Sequence, residues 1–295
     1  MGYRQVVIKK CEKLNLEDRQ LVINKDNNTY KVPLEDINFV LIEDNRTVIT
    51  SKILAAFGEE GICLIVCDDK FEPVSIMYPY NYHFKQLENI EKQLSLDDDS
   101  KKIIWQEIVK TKIENEIAVL CQTSKDERVI DILSKYVKEV TIGDETNREG
   151  LAAKIYFRSL FGSEFIRFYD DPINAALNYA YQIVKSSIIR TLSIYGLNSY
   201  LGINHKSKVN NFNLVYDLIE PFRAIVDLYV YKIKDNLTLP LSFDVRKDLV
   251  NILNISVTSN NKKCTLEYSI ELLVISYIKA LSTGEVSLTF PRVIE

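Results

Sequence analysis

The chain has 295 residues, of which 46% are hydrophobic and 26% are charged, a composition typical of globular proteins with room for two hydrophobic cores. Its net charge of −4 argues against a protein that coats nucleic acid indiscriminately, although a local basic surface remains compatible with it. No apolar run approaches the roughly 18 residues of a membrane span, and the N-terminus lacks the apolar segment of a signal peptide, so we expect a cytoplasmic protein without membrane contact.

Residues 1–80 show the period-two hydrophobic pattern of β-strands. The segments are short, rich in Val, Ile and Tyr, and separated by turn-forming residues: YRQVVIKK, RQLVINK, TYKVPL and INFVLIED. Residues 51–61 predict one short helix, after which ICLIVCD returns to a strand. The pattern predicts an N-terminal β-sandwich-like domain with one inserted helix.

The hydrophobic pattern becomes helical after Pro79, since apolar residues then recur at three- and four-residue intervals. We assign residues 81–97 to a linker and first helix, and residues 98–295 to a larger all-α domain. The expected fold class is therefore α+β, with the β domain first.

Several residues mark where helices begin and end. The acidic run 97–99 is typical of a helix start, and Asp171 followed by Pro172 predicts an N-cap and first turn. The helix opened there is long, and Gly196 is suited to end it. Towards the C-terminus, ISVTSNNKKCTL predicts a small hairpin before a last helix around 267–282.

The cysteines have no pattern of a metal site or a disulfide framework. Their number is odd and none is spaced as CxxC, so we expect buried free thiols in a reducing compartment, with zinc a poor alternative. The five are Cys11, Cys63, Cys67, Cys121 and Cys264.

Glu149 lies on the predicted inward face of a helix that Asp144 or Thr146 would cap. A buried carboxylate without a partner is costly, so this side chain needs a cation or must hold a proton. The ordinary alternative is an ion pair with Arg148 or Arg158, or a first-turn acid favoured by the helix dipole.

Asp217 and Glu220 are three residues apart on the polar side of another amphipathic segment. Two carboxylates at this spacing repel each other unless a positive charge lies near, and Arg223 is the nearest candidate. Pro221 should kink or restart the helix beside the acid pair, because it lacks a backbone N–H.

His205 is one of only two histidines, and it lies in a loop between helices. A single loop histidine is usually a surface residue or makes an ordinary polar contact. Together with two or three carboxylates, however, an imidazole forms a donor set that suits Mg²⁺ or Mn²⁺ better than structural zinc. The other histidine, His83, has no acidic cluster near it in the sequence and is interpreted as structural.

The segment 172–216 contains no Asp or Glu, yet it carries Lys185, Arg190, Lys206 and Lys208. A basic stretch in an acidic chain favours phosphate or a polyanionic backbone as a partner. Burial of the helix accounts for much of the absence of Asp and Glu from the first half of the segment. It does not account for their absence from the loop NHKSKVNN.

Four stretches of the sequence resemble the CRISPR-associated adaptation integrases, in the version found in type II systems, with subtype A favoured over subtype C. They are "IIWQEIVKTKIENEIAVL", "TNREGLAAKIYFRSLFG", "DPINAALNYAYQIVKSSIIRTLSIYGLNSYLGINH" and "NFNLVYDLIEPFRAIVD". Two positions depart from the family pattern: Glu116 stands where glutamine is expected, and Ala224 stands where proline commonly follows the arginine.

The resemblance implies a β domain that mediates homodimerisation and a helical domain that holds the active site. It implies that Glu149, His205 and Glu220 are catalytic ligands of Mg²⁺ or Mn²⁺. Asp217 aligns with the first acid of the family's D-x-x-[DE] element, and its expected role is to orient a ligand or to bind metal through water.

The implied reaction is the insertion of new spacer DNA into a repeat array, in which a 3′-hydroxyl attacks a phosphodiester. Lys206, Lys208, Arg223 and Arg167 would contact DNA phosphates. Two alternatives remain open from the residues: a metal-dependent nuclease that hydrolyses DNA, and a non-catalytic DNA-binding scaffold.

The resemblance also implies partners. These are double-stranded DNA, a second copy of the chain, and a small dimeric companion protein that joins two dimers into a hetero-hexamer. The RNA-guided effector nuclease and a ring-shaped DNA-end-binding protein are further partners expected for subtype A.

Overall fold

Two four-stranded β-sheets and a short helix form the N-terminal part of the computed structural model, which describes residues 2–80 and 82–294. The elements are β1 (Arg4–Ile8), β2 (Lys13–Glu17), β3 (Gln20–Lys25), β4 (Asn28–Pro33), β5 (Ile37–Ile42), β6 (Val48–Ile49), α1 (Ser51–Glu59), β7 (Cys63–Cys67) and β8 (Pro73–Met77). The strand order is β1-β5-β7-β8 in the first sheet and β4-β3-β2-β6 in the second.

Strand β5 is buried along its whole length because it separates two hydrophobic cores. Phe39 and Leu41 contribute to the core shared with the helices, whereas Val40 and Ile42 belong to the core between the sheets and α1. Strands β1 and β7 flank β5 in parallel. Its nearly continuous apolar sequence follows from this position, since neither face of the strand meets water.

The sequence patterns do not single out strands β2, β6 and β8. Strands β6 and β8 lie at the edges of their sheets and are only partly buried, so they carry a weak hydrophobic pattern. In β2, only Leu14 is fully buried, which leaves little alternation to detect.

Helices dominate the rest of the chain, as predicted. They are α2 (Gln86–Ser95), α3 (Asp98–Gln122), α4 (Glu127–Glu139), α5 (Arg148–Phe161), α6 (Pro172–Ile194), α7 (Asn213–Ile233), α8 (Phe243–Val250) and α9 (Leu266–Thr283). No helix within residues 2–80 and 82–294 is long and apolar enough to cross a membrane.

A small sheet is an addition to the expected all-α region. The predicted hairpin is present as β9 (Ser256–Ser259) and β10 (Lys262–Thr265), and β11 (Pro291–Arg292) pairs with β9 on its other side. The strand β11 was not predicted because only two residues form it.

Most predicted helix ends are confirmed. The carboxylate of Asp97 accepts a hydrogen bond from the Ser100 N–H at 2.8 Å at the start of α3. Asp171 caps α6 in the same way, and Gly196 follows the end of this helix with a φ of +68°. The N-cap residue of α5 is Asn147, and the predicted Asp144 accepts the backbone N–H groups of Arg148 and Glu149 in the first turn.

Helix α7 continues through Pro221, so the predicted restart of the helix does not occur. Asn115 of α3 donates from Nδ2 to the carbonyl oxygen of Pro221 at 2.8 Å, and it donates to the carbonyl oxygen of Pro291 at 3.0 Å. The contact with α3 therefore stabilises α7 at Pro221, which has no backbone N–H to donate within the helix.

The cysteines are free thiols, as predicted. Cys11, Cys63 and Cys67 are buried, and burial raises the pKa of Cys63 to about 12. Cys121 is exposed and Cys264 is partly buried, so the prediction of burial is wrong for Cys121.

Buried polar contacts join the β-sheets to the helices. Arg246 of α8 donates to both carboxylate oxygens of Glu43, at 2.6 and 2.9 Å, and both side chains are buried. Arg190 of α6 donates from Nε to the carbonyl oxygen of Gly61 at 2.8 Å. The first contact ties α8 to the residue that follows β5, and the second ties α6, which leads into the His205 loop, to the residue two positions before β7.

We expect Arg246→Leu to lower the free energy of unfolding by about 3 to 5 kcal/mol, because it leaves the Glu43 carboxylate buried without a partner. The double variant Glu43→Leu, Arg246→Leu should recover most of this loss. Arg19→Leu is the matched control, since the Arg19 side chain is 78% exposed in its pair with Glu60, and it should cost less than about 1 kcal/mol. Chemical denaturation followed by circular dichroism measures all three variants, and equal losses for the two single variants would contradict the prediction.

Candidate active site

The first turn of α5 is fixed by a buried acid. Asp144 accepts hydrogen bonds from the backbone N–H groups of Arg148 at 2.8 Å and Glu149 at 3.0 Å. Asn147 accepts from Gly150 at 3.3 Å and completes the cap. Because the N–H of Glu149 is held in this way, its backbone is anchored where the helix begins.

Glu220 is buried on α7 and has a cation on each carboxylate oxygen. Its Oε2 accepts from Lys112 Nζ at 2.6 Å, and its Oε1 accepts from Arg223 Nε at 2.7 Å. Burial alone would raise the pKa of Glu220, but Arg223 and Lys112 lower it to about 2. Glu220 is therefore ionised across the physiological pH range.

Lys112 of α3 also donates to Glu149 Oε1, so two carboxylates from different helices meet at one ammonium nitrogen. Burial alone would lower the pKa of Lys112, but the charges of Glu220 and Glu149 outweigh it and raise the pKa. The expected partners of Glu149 are not used, since Arg148 instead pairs with Glu139 at 3.0 Å.

Lys112 is a site residue that the sequence patterns did not identify. A signal was available, because residues at three- and four-residue spacing form the buried stripe of α3, and Lys112 lies within that stripe. A lysine at such a position needs a partner, as does Glu116 one turn later. The stripe consists of Trp105, Ile108, Val109, Lys112, Ile113, Glu116, Val119 and Leu120.

Asp217 is fully buried and holds the His205 loop. One oxygen accepts the backbone N–H groups of Ile203 at 2.6 Å and Asn204 at 3.1 Å. The other accepts the His205 N–H at 3.1 Å and contacts His205 Nδ1 at 2.7 Å. These four bonds occupy both oxygens, so the geometry favours an orienting role for Asp217 over metal coordination.

The imidazole of His205 has a defined tautomer and orientation. A carboxylate accepts hydrogen bonds, so in the neutral ring Nδ1 carries the proton and Nε2 has the lone pair. The bond to Asp217 raises the pKa of His205, and the charges of Glu220 and Glu149 act in the same direction. The ring lies edge-on to Trp105 with a centroid distance of 5.8 Å.

Gly202 allows the loop to pass close to its anchor. A Cβ atom at this position would lie 2.3 Å from the His205 carbonyl oxygen and 3.0 Å from Asp217 Oδ2. Any larger residue would push the His205 backbone away from Asp217. His83, by contrast, accepts the Lys85 N–H at 3.2 Å near the start of α2, in agreement with its interpretation as structural.

The predicted ligands Glu149, His205 and Glu220 do not form a preassembled metal site. Within residues 2–80 and 82–294, no group of three His, Cys, Asp or Glu side chains is arranged to hold a metal ion. The cation between the two glutamates is instead the Lys112 ammonium. The types of donor atom still suit Mg²⁺ or Mn²⁺. Two glutamate carboxylates converge on the Lys112 ammonium, and Nε2 of the nearby imidazole could act as a nitrogen ligand.

A cleft of about 720 Å³ adjoins this cluster. Arg167 is held there by Asn174 and Asn178, each at 2.7 Å. The guanidinium of Arg223 lies 4.8 Å from the ring centroid of Tyr181. Basic side chains outnumber acidic ones in the lining of this cleft. The basic ones are Lys70, Arg167, Lys185, Arg223 and Arg246, and the acidic ones are Asp69, Glu72 and Asp170.

The loop lysines lie outside the cleft. Lys206 is 70% exposed and lies 3.8 Å from Asp98, and Lys208 is also exposed. The structure therefore separates the predicted DNA contacts into Arg167 and Arg223 in the cleft and the two lysines on the loop surface.

Glu116 and Asp227 form a second buried acidic group close to the Lys112 cluster. Asp227 accepts a hydrogen bond from the Tyr181 hydroxyl. Glu116 Oε2 has no hydrogen-bond partner among the described residues. Burial raises the pKa of Glu116 to about 8 and the pKa of Asp227 to about 6.

Comparison with known proteins identifies relatives over most of the chain. The family model described as CRISPR associated protein Cas1 matches residues 6–263. A CRISPR-associated endonuclease Cas1 from Neisseria meningitidis serogroup C (strain 8013) is 36% identical over 279 residues, which cover 94% of this chain and 91% of the relative. CRISPR-associated endonuclease Cas1 1 from Francisella tularensis subsp. novicida (strain U112) is 28% identical, with coverages of 88% and 89%.

Solved structures show the same fold. A casposase bound to integration product superposes with a TM-score of 0.80 at 19% identity and covers 97% of this chain and 92% of its own. A CAS1 protein from Thermotoga maritima has a TM-score of 0.77 at 16% identity, with coverages of 96% and 98%. At these identities the superpositions establish likeness of fold.

We expect Glu116→Gln to flatten the pH dependence of stability. Because the pKa of Glu116 is about 8 when folded and close to 4.5 when unfolded, the unfolded chain releases a proton that the folded chain keeps. Stability therefore falls as pH rises between these values, by up to about 1.4 kcal/mol per pH unit. Glutamine cannot ionise, so the variant should be more stable than the unmodified protein at pH 8.

Denaturation at pH 5, 6, 7 and 8 measures this difference. Glu107→Gln, at a more exposed position of α3, is the matched control and should leave the profile unchanged. Asp227, with a pKa of about 6, also makes stability fall as the pH rises towards 6. This effect is common to the unmodified protein and both variants. Parallel profiles for Glu116→Gln and the unmodified protein would contradict the prediction.

Proposed function

Because the chain belongs to the CRISPR associated protein Cas1 family, we propose that it is a metal-dependent DNA integrase of CRISPR adaptation in a type II system of subtype A. The observation that carries this proposal is that Glu149 and Glu220 converge on the Lys112 ammonium. The oriented ring of His205 and a cleft with several basic side chains lie beside them. The casposase of similar fold was solved bound to an integration product, which supports a joining reaction.

Glu149, His205 and Glu220 would hold one Mg²⁺ or Mn²⁺. When bound, such an ion polarises the phosphate and lowers the pKa of the attacking hydroxyl. The chain's own contribution is preorganisation: Asp144 anchors the backbone of Glu149, Asp217 fixes the ring of His205, and Arg223 keeps Glu220 ionised.

The proposed reaction is a transesterification. The 3′-oxygen of the incoming DNA forms a bond to phosphorus in the repeat, and the bond from that phosphorus to a 3′-oxygen of the repeat breaks. The attacking hydroxyl loses its proton and the departing oxygen gains one. The protein has to hold two DNA ends in line, which an arrangement of fixed side chains can do.

The cationic side chains would bind the DNA backbone. Arg167 and Arg223 are held by hydrogen bonds to neighbouring side chains, so they can present charge at the cleft without further ordering. Lys206 and Lys208 are exposed and would contact phosphates outside the cleft. Such contacts fix register and do not read sequence.

The partners belong to the same proposal. The β domain, residues 1–80, would form a homodimer, with residues 81–97 as the connection to a catalytic domain of residues 98–295. The similar fold found within a Cas6-RT-Cas1--Cas2 complex supports a Cas2 companion. This companion would be a small dimer that joins two dimers of the chain into a hetero-hexamer. The RNA-guided effector nuclease and a ring-shaped DNA-end-binding protein would act with this assembly.

We expect Glu149→Gln, His205→Ala and Glu220→Gln each to reduce strand transfer by at least about 100-fold, because each removes a proposed ligand. A labelled duplex incubated with supercoiled repeat DNA, the companion protein and Mn²⁺ measures the reaction. Glu145→Gln, on an exposed side chain in the same loop region, is the matched control and should retain activity.

The products of this assay separate the candidate functions. Joined products support integration, whereas cleaved fragments without joining would support a hydrolytic nuclease. A His205→Ala variant with unchanged strand transfer and an unchanged far-ultraviolet spectrum would contradict the ligand assignment.

Lys206→Ala and Lys208→Ala should each weaken DNA binding similarly for unrelated sequences and reduce the salt dependence by about one unit of slope, since each removes one phosphate contact. Fluorescence anisotropy at several salt concentrations measures the slope. Lys262→Ala, at an exposed position of β10, is the control. Weakened binding of one sequence alone would contradict a phosphate role.

A further inference from the structure

Lys112 is the part of the cluster to which the proposed function assigns no role. It is buried on α3, between Glu149 of α5 and Glu220 of α7, and it donates to both. Arg223 adds a second cation at 2.7 Å from Glu220. Two positive and two negative side chains thus balance each other in a cluster in which Lys112 and Glu220 are buried, while Glu149 and Arg223 are partly exposed.

A divalent cation bound by Glu149 and Glu220 would meet oxygen atoms that these two side-chain cations already use. Lys112 uses Oε1 of Glu149 and Oε2 of Glu220, and Arg223 uses the remaining oxygen of Glu220. Adding two positive charges to a balanced buried cluster is unfavourable, because charges interact strongly where water is scarce. The ammonium and a divalent cation would therefore compete for Glu149 Oε1 and Glu220 Oε2, the two oxygen atoms that Lys112 contacts.

We propose that Lys112 is a positioning residue that holds Glu149 and Glu220 in convergent positions and competes with the divalent cation for their oxygen atoms. Metal uptake then includes displacement of the Lys112 ammonium, which its flexible side chain permits. The inference rests on the proposed function, since it concerns the same metal. This role differs from that of a purely structural ion pair. Replacing Lys112 should strengthen metal binding if it is a competitor, whereas loss of a structural ion pair would only weaken the fold.

The test compares the unmodified protein with Lys112→Met and Lys112→Gln, each prepared with chelator and titrated with Mn²⁺ by calorimetry. We expect both variants to bind Mn²⁺ at least about tenfold more tightly, while their thermal midpoints without added metal fall below that of the unmodified protein. Mn²⁺ should raise the midpoint of the variants by more than it raises that of the unmodified protein. Lys110→Met, on the partly exposed neighbour paired with Glu107 at 3.4 Å, is the matched control and should match the unmodified protein.

A second measurement uses the unmodified protein and does not depend on a folded variant. Acetylation of Lys112 by acetic anhydride, followed by mass spectrometry, should be slow without metal and at least about tenfold faster with saturating Mn²⁺, because displacement frees the amine from its carboxylates. Lys110 provides the internal reference in the same digest.

The outcomes distinguish the two proposals. Absence of Mn²⁺ binding and of strand transfer in the unmodified protein would overturn the proposed function. Normal binding and strand transfer, together with unchanged or weaker Mn²⁺ affinity in the variants and constant Lys112 acetylation, would overturn the role of Lys112 alone. If the Lys112 variants fail to fold, the acetylation rate of Lys112 in the unmodified protein tests the proposal by itself. A rate unchanged by Mn²⁺ would overturn the role of Lys112.

Discussion

The ionic contacts of Lys112 depend on three helices that are distant in sequence. Helix α3 supplies the ammonium, while α5 and α7 supply one carboxylate each. A buried charge without a partner is costly, so these helices are constrained to positions that bring the charges together. The surrounding core supplies the packing, and the ion cluster fixes how the helices are aligned within it.

The β-sheets and the loop act on the same centre from outside. The first sheet packs against α6 through β7 and β8, and Arg190 and Arg246 bind the two parts of the chain to each other. Helix α6 then leads into the loop that carries His205. Asp217 of α7 holds this loop by accepting hydrogen bonds from its backbone N–H groups. Each functional side chain is thus positioned by an element whose own place is set by burial.

The sequence is informative wherever a pattern is local. Helix caps at Asp97 and Asp171, the β-to-α transition and the hairpin at β9 and β10 follow from short-range rules, and the structure agrees with them. The partner of Glu149 could not be predicted in this way, because Lys112 is 37 residues away and closer arginines were available. Likewise, the role of Asp217 depends on loop geometry that no spacing rule contains.

The anchoring of the His205 loop has a consequence for how such a protein can diversify. Hydrogen bonds to Asp217 end at His205, and the next anchor is Asn213, whose Nδ2 binds the carbonyl oxygen of Ser207 at 2.9 Å. Ser199 Oγ then donates to the carbonyl oxygen of Asn211 at 3.2 Å, so residues 208–210 form a largely exposed excursion whose charge can change while the imidazole stays in place. The surface charge of this loop is therefore structurally independent of the position of the His205 ring.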